Sequence, residues 1–590
     1  MAEVKNAFIK SKMNQDLDAR LLPSGEYREG FNIQVSKSEG PDVGALENVL
    51  GNQMLATSQE DLEQLTGLTT IIIIGAYVDK SSDTLFLFIT DNVGDEKYNP
   101  SANNFVYSFN VTSELYTRLL TGSFLNFHVN YPVIGINLLE SLLFFTDNRN
   151  QPRKININNI ESGSNDSLYY TNEDQISVAK YNPYQAINLY KYQTDPTPSG
   201  GDGFVTTMQD VVSEKLPDGT TANPYYNDKY PGDEDFLEDK FVRFGYRFKF
   251  EDGEYSVFST FTQEAFIPQQ DGYFLGNTQY PSDPNITDDE ANSYRSGEVS
   301  FMVNKANQIE LIIPLESESF IDDQNIIEID ILYKESDGLA VQVVDTLDSS
   351  YFDKQNETPS GVLEYVNKKE YAGQWFLQYT YQGRKPYKTL PENQLLRVFD
   401  KIPVKAFGQE VSGNRIIYSN FQDKHTPPVN LNYNVAVTNK YQFQADQPGQ
   451  LINSTQYRTS IVEYPEHTVK QDRNYQVGIV LSDRYGRTSS VLLSSVDSFT
   501  DENEGIFYGS TVFNKYINKS EFDSEYQPND WPGDSIKLIF NDTIQTTPNP
   551  ITLYPGVYNG DSSSDDYNPL GWYSYKIVVK QLEQEYYNVY

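Results

Sequence analysis

Cysteine is absent from all 590 residues, which excludes disulfides and thiolate-bound metal sites. Histidine is nearly absent: His128, His425 and His467 lie far apart, and none belongs to a metal-ligand spacing. The opening MAEVKNAFIKSKMNQDLD lacks the apolar core of a signal peptide. The longest apolar run, around Ile71–Ile74, is far below the ~20 residues of a membrane-spanning helix. We therefore expect a protein made in a cytosol, without a membrane span, a bound metal or a cofactor.

Basic residues are scarce relative to acidic ones. The chain has 45 Lys and Arg against 83 Asp and Glu, a net charge of −38. A basic surface for gripping nucleic acid is therefore not expected, because binding to phosphates depends on Lys and Arg. Such acidity keeps a protein soluble and repels polyanions.

Catalytic settings are also missing. Nucleophilic catalysis needs a base beside a serine or cysteine, and neither His425 nor His467 lies in such a context. Carboxylates are so abundant that chance pairs carry no information about sugar hydrolysis. The acidic turns Asp561–Asp566 and Asp233–Asp235 offer oxygen ligands, but neither matches the twelve-residue calcium loop. We predict a protein that is not an enzyme and has no catalytic residues.

The residues that are abundant indicate an all-β protein. The chain contains 45 Tyr and 33 Phe, whereas hydrophobic residues of all kinds make up only 38%. Aromatic residues favour half-buried strands, so much of the chain is expected in sheets with a large surface. The length is sufficient for three to five domains.

A repeated strand organises the N-terminal third. LFLFITDN at Leu85–Asn92 returns within LLESLLFFTDNRNQPRKINI at Leu138–Ile157, and both apolar runs end in Thr-Asp-Asn. Because such runs recur about 50–60 residues apart, they predict propeller blades. Asp147, Arg149 and Asn150 resemble a catalytic cluster, but the echo at Thr90–Asn92 favours a blade-end turn. The predicted strands are Phe31–Val35, Thr69–Tyr77, Thr84–Ile89, Asn104–Val111, Tyr116–Leu120, Phe124–His128, Val133–Leu138, Leu142–Thr146 and Lys154–Ile157, with one short helix at Ser58–Leu65.

The pattern changes further along the chain. Residues 160–235 are rich in Tyr, Asn, Asp, Pro and Gly, which predicts long loops with one helix at Val205–Leu216. Asp252-Gly253 between Phe241–Phe250 and Tyr255–Phe261 is a strong hairpin signal. Strands at Ile309–Pro314, Ile326–Tyr333 and Val341–Asp345 add to a sandwich of immunoglobulin or fibronectin type III style. The hairpin recurs near Tyr475–Leu493, and Asn414–Asn420 again ends a strand in a small polar turn, as the blades do.

These patterns together predict an all-β fold, a β-propeller interrupted by an inserted fibronectin- or immunoglobulin-like β-sandwich, with a second β-sandwich near the C-terminus. The expected boundaries are 1–165 for the N-terminal strand and first blades, 166–238 for a long interface insertion, 239–390 for the inserted sandwich, 391–464 for the return to the propeller and 465–590 for the second sandwich-like region.

Several long phrases resemble tail nozzle proteins of short-tailed phages, above all the muzzle proteins of crAss-like phages. They are DARLLPSGEYREGFNIQV, LFFTDNRNQPRKINI, VRFGYRFKFEDGEYSVFSTFTQEAFIP, PVKAFGQEVSGNRIIYSNF, YQVGIVLSDRYGRTSSV and GWYSYKIVVKQLEQEYYNVY. The resemblance implies a structural virion protein, synthesised in the bacterial host cytoplasm. Such subunits form a ring, usually a hexamer, below the portal and its adaptor ring, and they imply tail fibres as further neighbours. DNA and ejected cargo proteins pass through the tube without specific binding.

Three further expectations depend on this resemblance. The excess acid should line the channel and repel passing DNA, and segments 160–235 and Lys385–Leu390 are candidate ring interfaces. Tyr590 is a possible processing boundary, beyond which a separate C-terminal fragment would complete the nozzle. A glycan-binding receptor protein of a phage tail is the alternative function, and a cell-wall hydrolase is a disfavoured third.

Overall fold

The computed structural model describes residues 7–36, 44–49, 62–64, 66–68, 71–161, 169–193, 203–216, 220–270, 302–336, 338–357, 363–365, 367–371, 373–395, 401–413, 415–428, 431–439, 469–494, 499–501, 505–507, 509–516, 534–541, 543–548 and 555–582. Short antiparallel sheets dominate these residues, so the chain is all-β. The helices with described bounds are α1 (Ile157–Glu161), α2 (Glu173–Ile176), α3 (Phe320–Asp323), α4 (Ser349–Phe352) and α5 (Glu392–Leu395). Within the described ranges no helix could cross a bilayer.

The chain divides into two compact units, Met1–Ile71 and Ile72–Tyr590. In the first, β1 (Lys12–Met13) pairs in parallel with β2 (Glu26–Tyr27), and β3 (Ile33–Val35) pairs antiparallel with β4 (Leu46–Asn48). The predicted strand at Phe31–Val35 begins only at Ile33, because Asn32 has a positive φ of 51°. The predicted helix is seen at residues 62–64 and 66, and its start at Ser58 lies outside the described residues.

The second unit begins with a four-stranded antiparallel meander. Its strands follow chain order: β5 (Ile72–Asp79), β6 (Thr84–Thr90), β7 (Asn104–Asn110) and β8 (Leu115–Thr121). All four predicted strands are confirmed, with ends shifted by up to three residues. The Thr-Asp-Asn turn follows β6 as expected, and its Asn92 side chain donates to the Phe127 carbonyl at 3.1 Å.

The second repeat forms a three-stranded sheet in the order β11 (Arg153–Asn156), β10 (Leu142–Thr146), β9 (Gly135–Leu139). The predicted strand at Phe124–His128 is wrong. Ser123–Leu125 is a 3₁₀ turn, and Asn126 leaves it with a left-handed φ of 49°. The Phe124 and Leu125 carbonyls are taken by the Arg153 guanidinium, so they are not available for a ladder. His128 is consequently buried in a turn, with Nε2 3.1 Å from the Gly94 carbonyl.

A later hairpin returns to this sheet. It consists of β26 (Lys405–Ser412) and β27 (Arg415–Gln422). Thr146 Oγ1 donates to the Ala406 carbonyl at 2.6 Å, and the Gln409 amide donates to Asn137 at 3.1 Å. The predicted strand end at Asn414–Asn420 is wrong, because β27 continues through Asn420 to Gln422; Asn414 itself lies outside the described residues.

Between these segments lie two four-stranded sheets that share one buried core. One has the strand order Met208–Gln209, Gln308–Leu315, Gln374–Tyr381, Lys368–Tyr371, and the other has the order Val242–Phe250, Ile326–Glu335, Gln342–Asp348, Lys388–Thr389. Phe244, Phe248 and Ile331 from one sheet and Leu311 and Leu377 from the other all lie in this core. The strands of this region are β12 (Tyr190–Gln193), β13 (Gly203–Thr206), β14 (Met208–Gln209), β15 (Val242–Phe250), β16 (Pro268–Gln270), β17 (Met302–Asn304), β18 (Gln308–Leu315), β19 (Ile326–Glu335), β20 (Gln342–Asp348), β21 (Lys354–Glu357), β22 (Leu363–Tyr365), β23 (Lys368–Tyr371), β24 (Gln374–Tyr381) and β25 (Lys388–Thr389).

The predicted helix at Val205–Leu216 is wrong. Its first residues belong to β13, which pairs with β12, and Met208–Gln209 pairs with β18. Pairing with strands distant in sequence has overridden the local pattern.

In the described C-terminal part, two of the three small sheets share a common core. The sheet β32-β29-β34 faces the pair β28-β33, and Tyr433, Val477 and Ile479 are fully buried between them. The strands are β28 (Tyr433–Asn439), β29 (Arg473–Asp483), β30 (Phe499–Asp501), β31 (Gly505–Phe507), β32 (Thr511–Asn514), β33 (Asp534–Phe540) and β34 (Trp572–Leu582).

The strand predicted at Tyr255–Phe261 is not regular, but it runs beside β15 in an unusual ladder. In this ladder the side-chain hydroxyls of one segment replace backbone carbonyls as acceptors. The backbone amides of three β15 residues donate to them at 3.0 Å: Phe248 to Ser256, Tyr246 to Ser259 and Phe244 to Thr262. The three backbone amides of the hydroxyl residues donate in return to the carbonyls of the same β15 residues. Successive contacts are thus three residues apart in the segment 256–262 and two residues apart in β15.

The predicted recurrence of this hairpin near Tyr475–Leu493 is confirmed. Leu481 N donates to Ser489 Oγ at 3.1 Å, and Ser489 N donates back to the Leu481 carbonyl at 2.8 Å, as Phe248 and Ser256 do. The same eight-residue spacing separates both pairs. The two hairpins are therefore copies of one local structure.

Candidate functional site: a buried ionic junction

The tips of the two copied hairpins have the same backbone and opposite charge. Gly253 and Gly486 occupy the same position, with φ of 78° and 82°. Gly253 N donates to the Phe250 carbonyl at 2.9 Å, and Gly486 N donates to the Asp483 carbonyl at 3.1 Å. We name residues 251–254 (Glu-Asp-Gly-Glu) the acidic tip and residues 484–487 (Arg-Tyr-Gly-Arg) the basic tip. Both tips dock on the segment between residues 150 and 182.

The acidic tip binds two lysines. The Asp252 carboxylate lies 3.0 Å from Lys154 Nζ and 2.6 Å from Lys180 Nζ, and Glu254 lies 3.1 Å from Lys154. Both ammonium groups are more than 90% buried. Burial alone would raise the pKa of Asp252, but the two lysines lower it to about 2. Burial lowers the pKa of Lys180, whereas Asp252 and Glu254 outweigh burial at Lys154 and raise its pKa.

The basic tip binds carboxylates from two different elements. Arg484 Nε donates to Asp174 at 2.8 Å, and its Nη1 donates to Glu316 at 2.8 Å. Three tyrosine rings surround the guanidinium at about 5 Å, those of Tyr181, Tyr558 and Tyr573. Burial disfavours the charge on Arg484, but Asp174 and Glu316 outweigh it and raise its pKa. The Arg484 cation thus contacts Asp174 on helix α2, Glu316 directly after strand β18, and an aromatic cage.

Asp483, the last residue of β29, directly precedes the basic tip and fixes its conformation. Its Oδ2 accepts from Arg487 Nε at 2.7 Å and lies 2.8 Å from His425 Nε2, while Oδ1 accepts from the Tyr485 and Arg487 amides. Arg487 and, to a lesser degree, His425 lower the pKa of this fully buried carboxyl to about 2, against the effect of burial. Burial lowers the pKa of His425. Among the described residues the hydrogen-bond partner of the His425 ring is the Asp483 carboxylate.

A second buried pair continues the network into the N-terminal sheets. Arg153 donates from Nη2 to Glu173 at 2.6 Å and from Nη1 to the Leu125 carbonyl at 2.6 Å. Gln151 links the two networks, because its amide donates to Glu173 at 3.2 Å and its oxygen accepts from Arg487 at 3.0 Å. Burial raises the pKa of Glu173, and Arg153 acts against that rise.

We call these two neighbouring groups of charges together the ionic junction. It is defined by Arg153, Lys154, Glu173, Asp174, Lys180, Asp252, Glu316, Asp483, Arg484 and Arg487. Its members come from four parts of the second unit: the β9–β11 sheet, the segment around α2, the inserted pair of sheets and the C-terminal sheets. Truncating one member of a buried pair costs about 3–5 kcal/mol, because the other charge is left without compensation.

The cluster Asp147, Arg149 and Asn150 lies at the edge of this network and has a structural role. Asp147 accepts from the amides of Arg149 and Asn150 at 3.0 and 2.8 Å. Arg149 donates to the carbonyls of Asn126 and Glu96 at 3.0 and 2.8 Å. These bonds fix a turn and tie it to the preceding loop.

A polar cleft of about 340 Å³ lies where the acidic tip meets its docking segment, lined by Lys154, Lys180, Asp252, Tyr170 and Gln324 among others. Both lysines already contact Asp252. The cleft therefore lies along the contact between the acidic tip and its docking segment, and its two lysines already have a carboxylate partner.

The other candidate sites of the sequence lie elsewhere. Asp561 accepts from Ser563 at its turn, and Asp233 pairs with Lys385 at 2.9 Å. Within the described ranges no three His, Asp or Glu residues converge as a metal site. His467 and Tyr590 lie outside the described residues.

The two candidate ring interfaces adjoin each other through that Asp233–Lys385 pair. Part of the 160–235 segment is unavailable for other subunits, because Ile176, Ala179 and Leu189 are buried in this chain. Tyr225 and Tyr226, by contrast, are 54% and 43% exposed. Among the described residues of this segment, Tyr225, Tyr226 and Asp233 are exposed and could contact another subunit.

The ionic junction was not among the sites predicted from the sequence, although the sequence carries a signal for it. Aligning the hairpins on Gly253 and Gly486 places an acidic four-residue turn opposite a basic one. Their partners, Lys154 with Lys180 and Asp174 with Glu316, have no comparable signature, because they lie on elements that meet only in the folded chain.

Comparison with known proteins gives one result that concerns function. No curated protein matches the chain. A family model described as Crassvirus muzzle protein matches residues 4–203, which include the repeated Thr-Asp-Asn turns and helix α2 of the ionic junction. Such a match indicates a structural protein of the virion tail. The N-terminal third therefore confirms the resemblance of this chain to the muzzle proteins of crAss-like phages.

Proposed function

We propose that the protein is a subunit of a tail nozzle, the distal tube through which DNA and ejected proteins leave a phage particle. The observation that carries the proposal is the match of residues 4–203 to the Crassvirus muzzle family. In this proposal the chain forms a closed homo-oligomeric ring, a hexamer, below the portal and adaptor proteins. Tail fibres are its further neighbours.

The ionic junction supports a structural role in such a tube. It joins sheets from four parts of the second unit through charges that are largely buried. Separating them would expose unpaired charges at a cost of several kcal/mol each. A wall that withstands the passage of cargo benefits from sheets that cannot slide independently.

The sheet order supports the proposed architecture. The meander β5–β8 and the sheet β9–β11 with its returning hairpin β26–β27 are the proposed propeller blades. The paired four-stranded sheets of residues 242–389 are the proposed inserted sandwich, and the sheets around Tyr433 and Val477 are the proposed second one.

The charge of the chain fits a conduit for DNA. Duplex DNA carries one negative charge per ~1.7 Å, and contacts with Lys and Arg would retain it. With a net charge of −38 per subunit, we propose that acidic side chains face the channel and keep the duplex away from the wall.

Electron microscopy of the purified full-length chain, together with antibody labelling of intact virions, tests the proposal. We expect closed rings with a central channel and labels at the distal end of the tail. Monomers that bind on a glycan array, with no ring at any concentration, would instead support the receptor-binding alternative.

The proposed interface is tested separately with a charge reversal. Lys385→Glu, at an exposed position beside Asp233, is expected to reduce the ring fraction in mass photometry without changing the melting temperature. Lys369→Glu, exposed on β23, is the matched control. Equal ring fractions for both variants would exclude this patch as the interface.

A further inference from the structure

Strand β34 is a long edge strand whose outer side is not paired by any strand that the structure describes. Strand β29 pairs with it along one side, from Asn474 opposite Leu582 to Asp483 opposite Trp572. On the other side, described hydrogen bonds occur only at its start, where Trp572 exchanges bonds with Gly556 and Tyr558. An unpaired edge presents a row of free amides and carbonyls that can take up another strand.

One face of this edge strand is apolar and belongs to the core side of the sheet. The register sets Val579 opposite Val477 and Ile577 opposite Ile479, and both β29 residues are fully buried. Directly opposed residues share one face. Tyr575, Ile577 and Val579 therefore point to the core side, yet they are 55%, 48% and 50% exposed. The apolar side chains on the core side of β34 are therefore about half exposed to solvent.

The opposite face is basic. Lys576 and Lys580 alternate there with Val578, and the strand contains no carboxylate from Trp572 to Leu582. Within the described residues neither lysine forms an ion pair with an acidic side chain. In a chain with a net charge of −38, a strand with two lysines and no acid is a local reversal of sign.

We propose that β34 is a docking edge for one strand of a different protein, a segment in which apolar residues alternate with Asp or Glu. The backbone of that segment would pair with the free edge, as in β-strand addition. Its apolar residues would cover the row of Tyr575, Ile577 and Val579, and its carboxylates would lie beside Lys576 and Lys580. The proposal is independent of the role in a tail nozzle.

The test uses two synthetic peptides and the full chain. One dye-labelled heptapeptide alternates valine and glutamate, and the other alternates valine and lysine. In fluorescence anisotropy the acidic peptide is expected to bind at least tenfold more tightly than the basic one. Hydrogen exchange of the β34 amides is expected to slow in the presence of the acidic peptide. Equal binding of both peptides, or binding without protection of β34, would overturn the proposal.

A charge-reversed variant separates this edge from non-specific attraction. In Lys576→Glu/Lys580→Glu the preference is expected to switch to the basic peptide, whereas the matched control Lys388→Glu on β25 leaves it unchanged. Lys576 and Lys580 are both exposed, so the double variant is expected to fold. An unchanged preference in the double variant would overturn the proposal. So would a dimer of the chain alone that is lost in Val579→Glu, because a second copy would then occupy the edge.

Discussion

Arg484 and Asp174 are 310 residues apart in the chain, yet the guanidinium Nε lies 2.8 Å from the carboxylate in a buried setting. The same carboxylate accepts from Tyr485 and Gln324 at 2.8 and 2.7 Å. Asp174 thus contacts both the C-terminal hairpin and the inserted sheets. We expect the stability of the second unit to depend on this side chain more than on any single surface charge.

The substitution Asp174→Asn should destabilise the second unit, but by less than the ~3–5 kcal/mol of a buried charge left without any partner, because Glu316 still pairs with Arg484. Thermal unfolding followed by calorimetry measures the change. Asp565→Asn, in an exposed turn, is the control and should not shift the transition. A shift of equal size in both variants would contradict a special role of Asp174.

The two tip glycines allow a matched comparison. Gly253→Ala should cost about 1–2 kcal/mol, the strain of a left-handed alanine, since its side chain would meet open space. Gly486→Ala carries the same strain, and its Cβ would also lie 2.9 Å from the Asn182 side chain. It should therefore be clearly more destabilising. Chemical denaturation of both variants measures the difference, and Asn182→Ala should recover part of it in the Gly486→Ala background.

The hydroxyl ladder predicts an effect of Ser256→Ala. Its Oγ accepts from the Phe248 amide at 3.0 Å and donates to the Val257 carbonyl at 2.6 Å. Removing it leaves a buried amide without this partner, which costs about 1–3 kcal/mol. Hydrogen exchange at Phe248 should accelerate, whereas Ser101→Ala, on an exposed turn, should change neither exchange nor stability. Unchanged exchange at Phe248 would show that the ladder does not depend on the hydroxyl.

The acidic tip predicts a pH dependence. The pKa of Asp252 is lowered to about 2 from 3.8, so the folded state favours its ionised form. Its contribution to stability is complete above pH ~4 and is lost as the pH falls toward 2. Asp252→Asn should therefore destabilise the protein at pH 6 and show a shallower loss of stability between pH 4 and 2. Parallel acid-unfolding curves for the variant and the wild type would refute this.

Local sequence signals predict the strands and turns of this protein well, because they depend on neighbours along the chain. The strand Thr84–Thr90 follows from a short apolar run closed by turn residues, and Asp252-Gly253 predicts the hairpin of β15. They fail where a distant side chain competes for the backbone. Phe124–His128 is apolar enough for a strand, but Arg153 takes its carbonyls.

Which charges meet in the ionic junction could not be predicted from the sequence, for the same reason. Each of its charges is ordinary among 83 acidic and 45 basic residues. Only the fold brings Lys154 to Asp252 and Asp174 to Arg484. Burial then distinguishes these few from the many that remain in solvent, and burial cannot be read from charge alone.

The opposite charges of the two copied tips have a consequence for how the chain assembles itself. Two hairpins of the same shape could in principle exchange places during folding. The acidic tip would then face Asp174 and Glu316, and the basic tip would face Lys154 and Lys180, so each exchange would bring like charges together out of water. The same backbone conformation is therefore used twice in the chain, and the sign of the charge determines where each hairpin docks.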